Sequence, residues 1–197
     1  MNKHFKLRKA LMSDVRPIHS LLNFFADQRE LLPRSLSEVY ENLQQFFVVT
    51  KDEKVVGCCA LYVTWEGLAE VKALAVAPEY QGRGLGKWLL ETIVEEARKL
   101  GVSTLFTLTI REGLFKKFGF KKAKKSVLPH KVWTECVRCP YFPESCIETS
   151  LVLHLKKKSQ KLSKMAEAFM STAEPMVPNE PSGPPVYPPE PPRHPSA

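Results

Sequence analysis

Gln81-Gly82-Arg83-Gly84-Leu85-Gly86 runs directly into Lys87 and an amphipathic stretch that ends at Leu100-Gly101. Glycines at alternate positions let main-chain N–H groups approach an anion closely, and the start of a helix adds the positive end of its dipole. Arg83 and Lys87 place cationic side chains beside that turn. The chemistry on offer is a cradle for a diphosphate. Glycines at a strand-to-helix turn also serve turn geometry alone, so the surrounding spacing has to decide. The segment is not G-x-x-x-x-G-K-[ST], which argues against a nucleoside-triphosphate loop. Nor is it a G-x-G-x-x-G turn with an acidic residue on a second strand, which argues against a dinucleotide fold.

A second cluster is Cys136-x-x-Cys139 with Cys146, and His130 and His154 are candidate further ligands. A structural zinc site needs four placed ligands. A redox pair belongs in a thioredoxin-like βαβ setting that this chain lacks. Reduced thiols packed in a loop are the third reading, and no metal is assigned. Cys58-Cys59 lies in an apolar run and reads as two small core residues.

These residues need elements to hold them. Phe5–Ala10 alternates as a first strand. Ser13-Asp14 can cap a helix bearing Val15, Ile18, Leu21, Leu22 and Phe25, which Pro33 ends. Ser35 with Glu38 is a capping-box start for a second helix carrying Val39 and Leu43. Strands follow at Phe46–Thr50 and Val55–Trp65, joined as a hairpin, and at Glu70–Val76. The main helix spans Gly84–Leu100, with Leu85, Leu89, Ile93, Ala97 and Leu100 at helical spacing. Thr104–Ile110 is a buried strand, Gly113–Phe118 a short helix, and Ile147–Leu155 a last strand.

The net charge of +8 comes largely from Lys121–Lys125 and Lys156–Lys164, which read as solvated lysines. No aromatic interleaving marks a nucleic-acid module, so no nucleic-acid partner is expected; a ligand with several phosphates would also favour a positive surface. No apolar run approaches the length of a membrane span and no secretory signal is visible, so a cytoplasmic protein without a membrane partner is expected. Prolines dominate the last residues, and a tail over 171–197 cannot bury enough surface to order itself. The organisation expected is one domain over 1–155, a basic, helix-capable extension over 156–170, and that tail. Pro184-Pro185-Val186-Tyr187-Pro188-Pro189 suits a proline-recognition module, though such tails are usually linkers, and its partner is unknown. The oligomeric state is open, a homodimer included.

Leu74, Val76, Pro78 and Gln81 with the glycine turn resemble the L-x-V-x-P-x-x-Q and Gln/Arg-x-x-Gly-x-Gly/Ala pattern of the GNAT N-acetyltransferases. The element order β-α-α-β-β-β-α-β-α-β is also theirs. The resemblance implies an α+β fold: a mixed, mostly antiparallel sheet, splayed at its centre and flanked by helices. It implies acetyl-CoA as co-substrate, with pantetheine along Leu74, Ala75 and Val76 and the diphosphate on Gln81, Gly82, Arg83, Gly84, Leu85, Gly86 and Lys87. Glu70, on the strand leading into that loop, would be the base, usually acting through water; its plain alternative is an ion pair with Lys72. The family often has a tyrosine acid in its short helix. Here Phe115 holds that place beside the cofactor and has no proton to give, so water or the Thr109 hydroxyl is left for the leaving thiolate.

Leu31-Leu32-Pro33-Arg34-Ser35 and the later Lys131-Val132-Trp133 and Cys-x-x-Cys-Pro stretches are similar to short bacterial N-acetylglutamate synthases that lack a kinase-like domain. That similarity implies an amino-acid acceptor, most of all L-glutamate, in the first step of arginine biosynthesis; the alternatives are another amine, such as a protein N-terminus, a lysine or another amino acid, and a non-catalytic acyl-CoA-binding module. Two carboxylates need two cationic clamps. Arg34 is the first by motif position, with Ser35 beside it; Lys131, Arg138 and Lys72 are candidates for the second.

Overall fold

Cys58 and Cys59 are neighbours in one strand, and both are fully buried. Successive strand residues point to opposite faces, so each thiol enters a different core. Cys59 packs with Val49, Leu61, Val71 and Leu89. Cys58 packs with Val15, Ile18, Leu22 and Val48. The sheet is therefore apolar on both faces, and helices must cover each one. Burial pushes the Cys58 thiol up to about 12 and the Cys59 thiol well above its usual value. Both are inert packing groups, as expected.

The computed structural model describes residues 4–125, 128, 136, 137, 139 and 145–155. All belong to the first of two compact units, 1–157 and 158–197. The expected basic extension and proline-rich tail lie outside the described residues, as do Lys131, Arg138 and His130.

The chain runs β1 (Phe5–Lys9), α1 (Val15–Asp27), α2 (Leu36–Glu41), β2 (Phe46–Lys51), β3 (Lys54–Trp65), β4 (Leu68–Val76), α3 (Leu85–Lys99), β5 (Thr104–Thr109), α4 (Glu112–Lys117), β6 (Lys121–Lys122) and β7 (Thr149–His154). The strands form one sheet ordered β1-β2-β3-β4-β5-β7-β6. Only β4 and β5 are parallel among these pairs; the rest are antiparallel. The mixed, mostly antiparallel sheet matches the expected fold class. The two-residue β6 is a strand the hydrophobic pattern did not suggest. No described helix is long and apolar enough to cross a membrane.

Helix α3 buries Leu85, Leu89, Leu90, Ile93, Val94 and Ala97 on one face of the sheet. Helix α1 buries Val15, Ile18, Leu22 and Phe25 on the other, joined by Val39 of α2. Ser35 caps α2 as expected: its Oγ accepts from the Glu38 N–H at 3.2 Å, and Glu38 Oε2 accepts from the Ser35 N–H at 2.7 Å.

Asp14 behaves differently from a helix cap. Its backbone is already helical, and its carboxylate makes no cap to α1. Instead it accepts from the Leu11 N–H at 2.7 Å and from Arg8 Nη1 at 2.5 Å. It thereby ties β1 to the start of α1. Burial alone would raise its pKa, but the Arg8 hydrogen bond, the Leu11 N–H and the Arg8 charge outweigh it and hold the carboxyl below its ordinary value. A group depressed in the folded state adds stability that is complete above its unfolded pKa and disappears as pH falls through the folded one. Asp14→Ala is therefore expected to cost about 2–3 kcal/mol at neutral pH. The difference from the parent should shrink once urea titrations are run below about pH 4.

Two irregularities shape the centre of the sheet. Cys58 faces Ala75 and Ala60 faces Lys72, so β4 carries an extra residue there. This β-bulge contains Ala73 at φ 53°, a left-handed conformation that costs a non-glycine residue about 1–2 kcal/mol. The bulge carbonyls of Ala73 and Lys72 accept from the thiols of Cys58 at 3.5 Å and Cys59 at 3.6 Å. The second irregularity lies between β4 and β5. They pair at Leu68–Thr104, Ala69–Leu105 and Glu70–Phe106, and their pairing ends there. Beyond it, β4 stays on β3 as far as Val76–Gly57, while β5 stays on β7 as far as Thr109–Thr149. Each strand follows its outer neighbour, and a wedge opens between them.

Candidate active site

The wedge is a cleft of about 530 Å³. One wall is the free edge of β4, where Leu74, Ala75 and Val76 line the opening. That edge is unpaired toward β5 and can accept an extended amide-bearing ligand as an added strand would be accepted.

The glycine turn closes this wall. Gln81 Nε2 donates to the Val76 carbonyl at 3.0 Å and pins the turn to the strand end. Gly82 and Gly84 sit at φ 74° and 82°, where only glycine is unstrained, and added Cβ atoms there would meet nothing within 4 Å. Their outward side is open to a ligand. No side chain caps α3 at Gly84, so no capping group competes for the N–H groups of its first turn. These are the features a diphosphate requires. Gln81, Gly82, Gly84, Leu85, Gly86 and Lys87 all line the cleft. Arg83 does not: its guanidinium lies over Tyr80, 5.5 Å from the ring centre, and donates to the Glu79 carbonyl.

Glu70 stands where the two strands part. It is buried, with Oε2 3.2 Å from Lys72 Nζ, and both side chains are nearly inaccessible. Glu70 and Lys72 alternate on β4 and share a face, so each offsets the other's desolvation. Lys72 also lies over Tyr62, 4.9 Å from the ring centre. The ion pair and the cleft position are thus both present: Glu70 and Lys72 line the opening.

Across the cleft, Thr109 ends β5 and its Oγ1 accepts from the Arg111 N–H at 3.0 Å. Phe115 is buried edge-on to Phe120, with centroids 5.3 Å apart, and carries no proton donor into the cleft. Arg34 also lines the cleft, 3.5 Å from Glu38 Oε1. Asn23 clamps its main chain by accepting from the Arg34 N–H at 3.2 Å and donating to its carbonyl at 3.0 Å. Ser35 is absent from the cleft lining; its hydroxyl is engaged in capping α2.

Glu30, Arg111 and Glu148 also line the cleft, and none was expected from the sequence. Glu148 precedes β7. Burial raises its pKa, against the opposing charges of Lys125, Lys72 and Arg34. Three cations from three separate segments of the chain thus act on one carboxyl. Cys136, Cys139 and Cys146 line the same region, and Lys125 Nζ donates to Cys146 Sγ at 2.9 Å. Among the described residues, no group of three or more His, Cys, Asp or Glu is arranged to hold a metal.

Residues 42–122 match the family model described as an acetyltransferase (GNAT) domain. An uncharacterised N-acetyltransferase of Chlorobaculum tepidum is 34% identical over 134 residues, covering 68% of this chain and 86% of the relative. An amino-acid acetyltransferase of Mycobacterium tuberculosis is 33% identical over 135 residues, covering 67% of this chain and 77% of the relative. Among solved structures, N-acetylglutamate synthase of Neisseria gonorrhoeae, complexed with coenzyme A and N-acetyl-glutamate, is similar with a TM-score of 0.71 at 28% identity, covering 79% of this chain and 36% of that one. The chain belongs to the GNAT acetyltransferases. Its co-substrate is acetyl-CoA.

Proposed function

We propose that this chain transfers the acetyl group of acetyl-CoA to the α-amine of a free amino acid, with L-glutamate as the acceptor the site suits best. The observation that carries the reading is that Arg34, Lys72 and Glu148 line the same cleft as Glu70, with the Arg34 and Lys72 charges acting on the Glu148 carboxyl. A zwitterionic dicarboxylic amino acid presents one ammonium and two carboxylates. It needs cations for the carboxylates and a carboxylate for the amine, and the cleft lining holds both. Two relatives support the same reading: the mycobacterial protein is named for amino-acid acetylation, and the neisserial structure holds N-acetyl-glutamate. Making that product would place the chain at the first step of arginine biosynthesis.

In this reading the β4 edge aligns the thioester arm, and the glycine turn with α3 holds the diphosphate. The amine nitrogen attacks the thioester carbonyl carbon directly. Glu70 takes a proton from the substrate ammonium through a water molecule, freeing the nitrogen lone pair for the attack, and the second N–H proton passes to the water or hydroxyl that protonates the leaving thiolate. The C–S bond then breaks, and the departing thiolate takes a proton from water or the Thr109 hydroxyl. Arg34 binds one substrate carboxylate through its planar fork. Lys131 and Arg138 are candidates for the other, from outside the described residues.

A panel of amino acids with acetyl-CoA, followed by release of free coenzyme A, tests this directly. Glutamate is expected to saturate, and Arg34→Ala to raise its KM about 10–100-fold through loss of a charge-assisted pair. Acetylation of a peptide amine with no turnover of any free amino acid would replace this reading with a protein N-terminus or lysine acceptor.

A further inference from the structure

Glu30 and Arg111 are far apart in sequence, yet their side chains meet across the cleft as an ion pair. Glu30 follows the end of α1. Arg29 turns the chain there at φ 58°, and the Arg29 and Glu30 N–H groups return to the Ala26 and Phe25 carbonyls, both at 2.9 Å. Arg111 joins β5 to α4, with its own N–H held by Thr109 Oγ1. Both main chains are anchored, so only the side chains span the gap. Both residues line the cleft, Glu30 on the same loop as Arg34.

The pair joins an acidic group of the chain to a guanidinium that lines the cleft. Arg111 is 67% exposed and Glu30 only 21%. An ion pair with so exposed a partner holds little energy and opens readily. A carboxylate brought by the substrate would restore the same fork geometry and the same charge balance that Glu30 supplies.

We propose that Arg111 is a binding residue for the side-chain carboxylate of the acceptor, and that Glu30 is its internal competitor. The inference rests on the amino-acid reading above and adds a selectivity device to it. A dicarboxylic acceptor displaces Glu30 and gains Arg111. A neutral amino acid such as glutamine leaves the pair closed and gains nothing from it. Glu30 thus raises the threshold for acidic substrates while keeping Arg111 oriented when the cleft is empty.

The test is steady-state kinetics of the full chain with glutamate and with glutamine, at saturating acetyl-CoA. Arg111→Ala is expected to raise the glutamate KM about tenfold and leave the glutamine KM within about twofold. Glu30→Gln is expected to lower the glutamate KM about three- to fivefold, because the competent state no longer has to be released. Arg111→Lys should recover part of the loss, since charge remains without the fork. Both residues are away from the core, so thermal melts should stay close to the parent. Glutamate turnover with unchanged KM in both variants, or equal shifts for both amino acids, overturns the gate and leaves the amino-acid reading standing. A parent protein that acetylates no free amino acid overturns both.

Discussion

Glu70→Gln is expected to keep acetyl-CoA binding and to lose kcat by about 10²–10⁴-fold. The amide preserves the shape of the side chain and removes its ability to take a proton. Nothing on the β4 edge or the glycine turn depends on that charge, so calorimetric affinity for acetyl-CoA should change little. The substitution also costs Lys72 the carboxylate 3.2 Å away. Removing one partner of a buried pair costs about 3–5 kcal/mol, so a lower melting temperature is expected too. Binding of acetyl-CoA by the folded variant separates the two effects. Glu148→Gln is the matched comparison, because Glu148 is a half-buried carboxyl that lines the same cleft. Should Glu148→Gln abolish turnover while Glu70→Gln retains it, the base is Glu148.

How readily these parts are read from the sequence depends on how local they are. The glycine turn, the β4 edge and Glu70 all fall within one stretch, Ala69–Lys87, so strand, turn and helix start announce themselves together. The helices follow from apolar spacing, and Ser35 with Glu38 caps α2 as its spacing implies. Asp14 misleads because a helix-start aspartate normally caps its own helix. Here an arginine from β1 competes for it, and that partner is invisible to local pattern. Ala73 is the harder case. A left-handed alanine contradicts its own backbone preference, and only pairing with β3 on one side reveals the extra residue.

Glu30, Arg111 and Glu148 are illegible for a different reason. Each is an ordinary charged residue at an element end, of the kind that is usually solvated. They matter because β7 inserts beside β5 in register, bringing Thr149 opposite Thr109, and because α1 ends over the same opening. Long-range register decides that, and a single sequence carries no local signal for it. Phe115 shows the converse. Its position was legible from the Gly119-Phe120 pair that follows, and the structure buries it against Phe120.

Gly84→Val should weaken acetyl-CoA binding about 100-fold without unfolding the domain. Gly84 sits at φ 82°, and a β-branched residue is a steric outlier there. The turn would have to rotate out of its present path, turning its N–H groups away from where they would hold the diphosphate. Such groups act together with the helix start, so misdirecting the turn removes several charge-assisted contacts at once. The core should be spared, because a Cβ at this position meets nothing within 4 Å and the buried face of α3 begins at Leu85. A truncated donor, S-acetyl-pantetheine, locates the loss. It lacks the diphosphate, so kcat/KM for it should be nearly the same in parent and variant, while kcat/KM for acetyl-CoA falls toward that of the truncated donor. Equal losses with both donors would mean that the turn shapes the reaction centre instead of gripping the diphosphate. The wedge between β4 and β5 would then have to supply the affinity on its own.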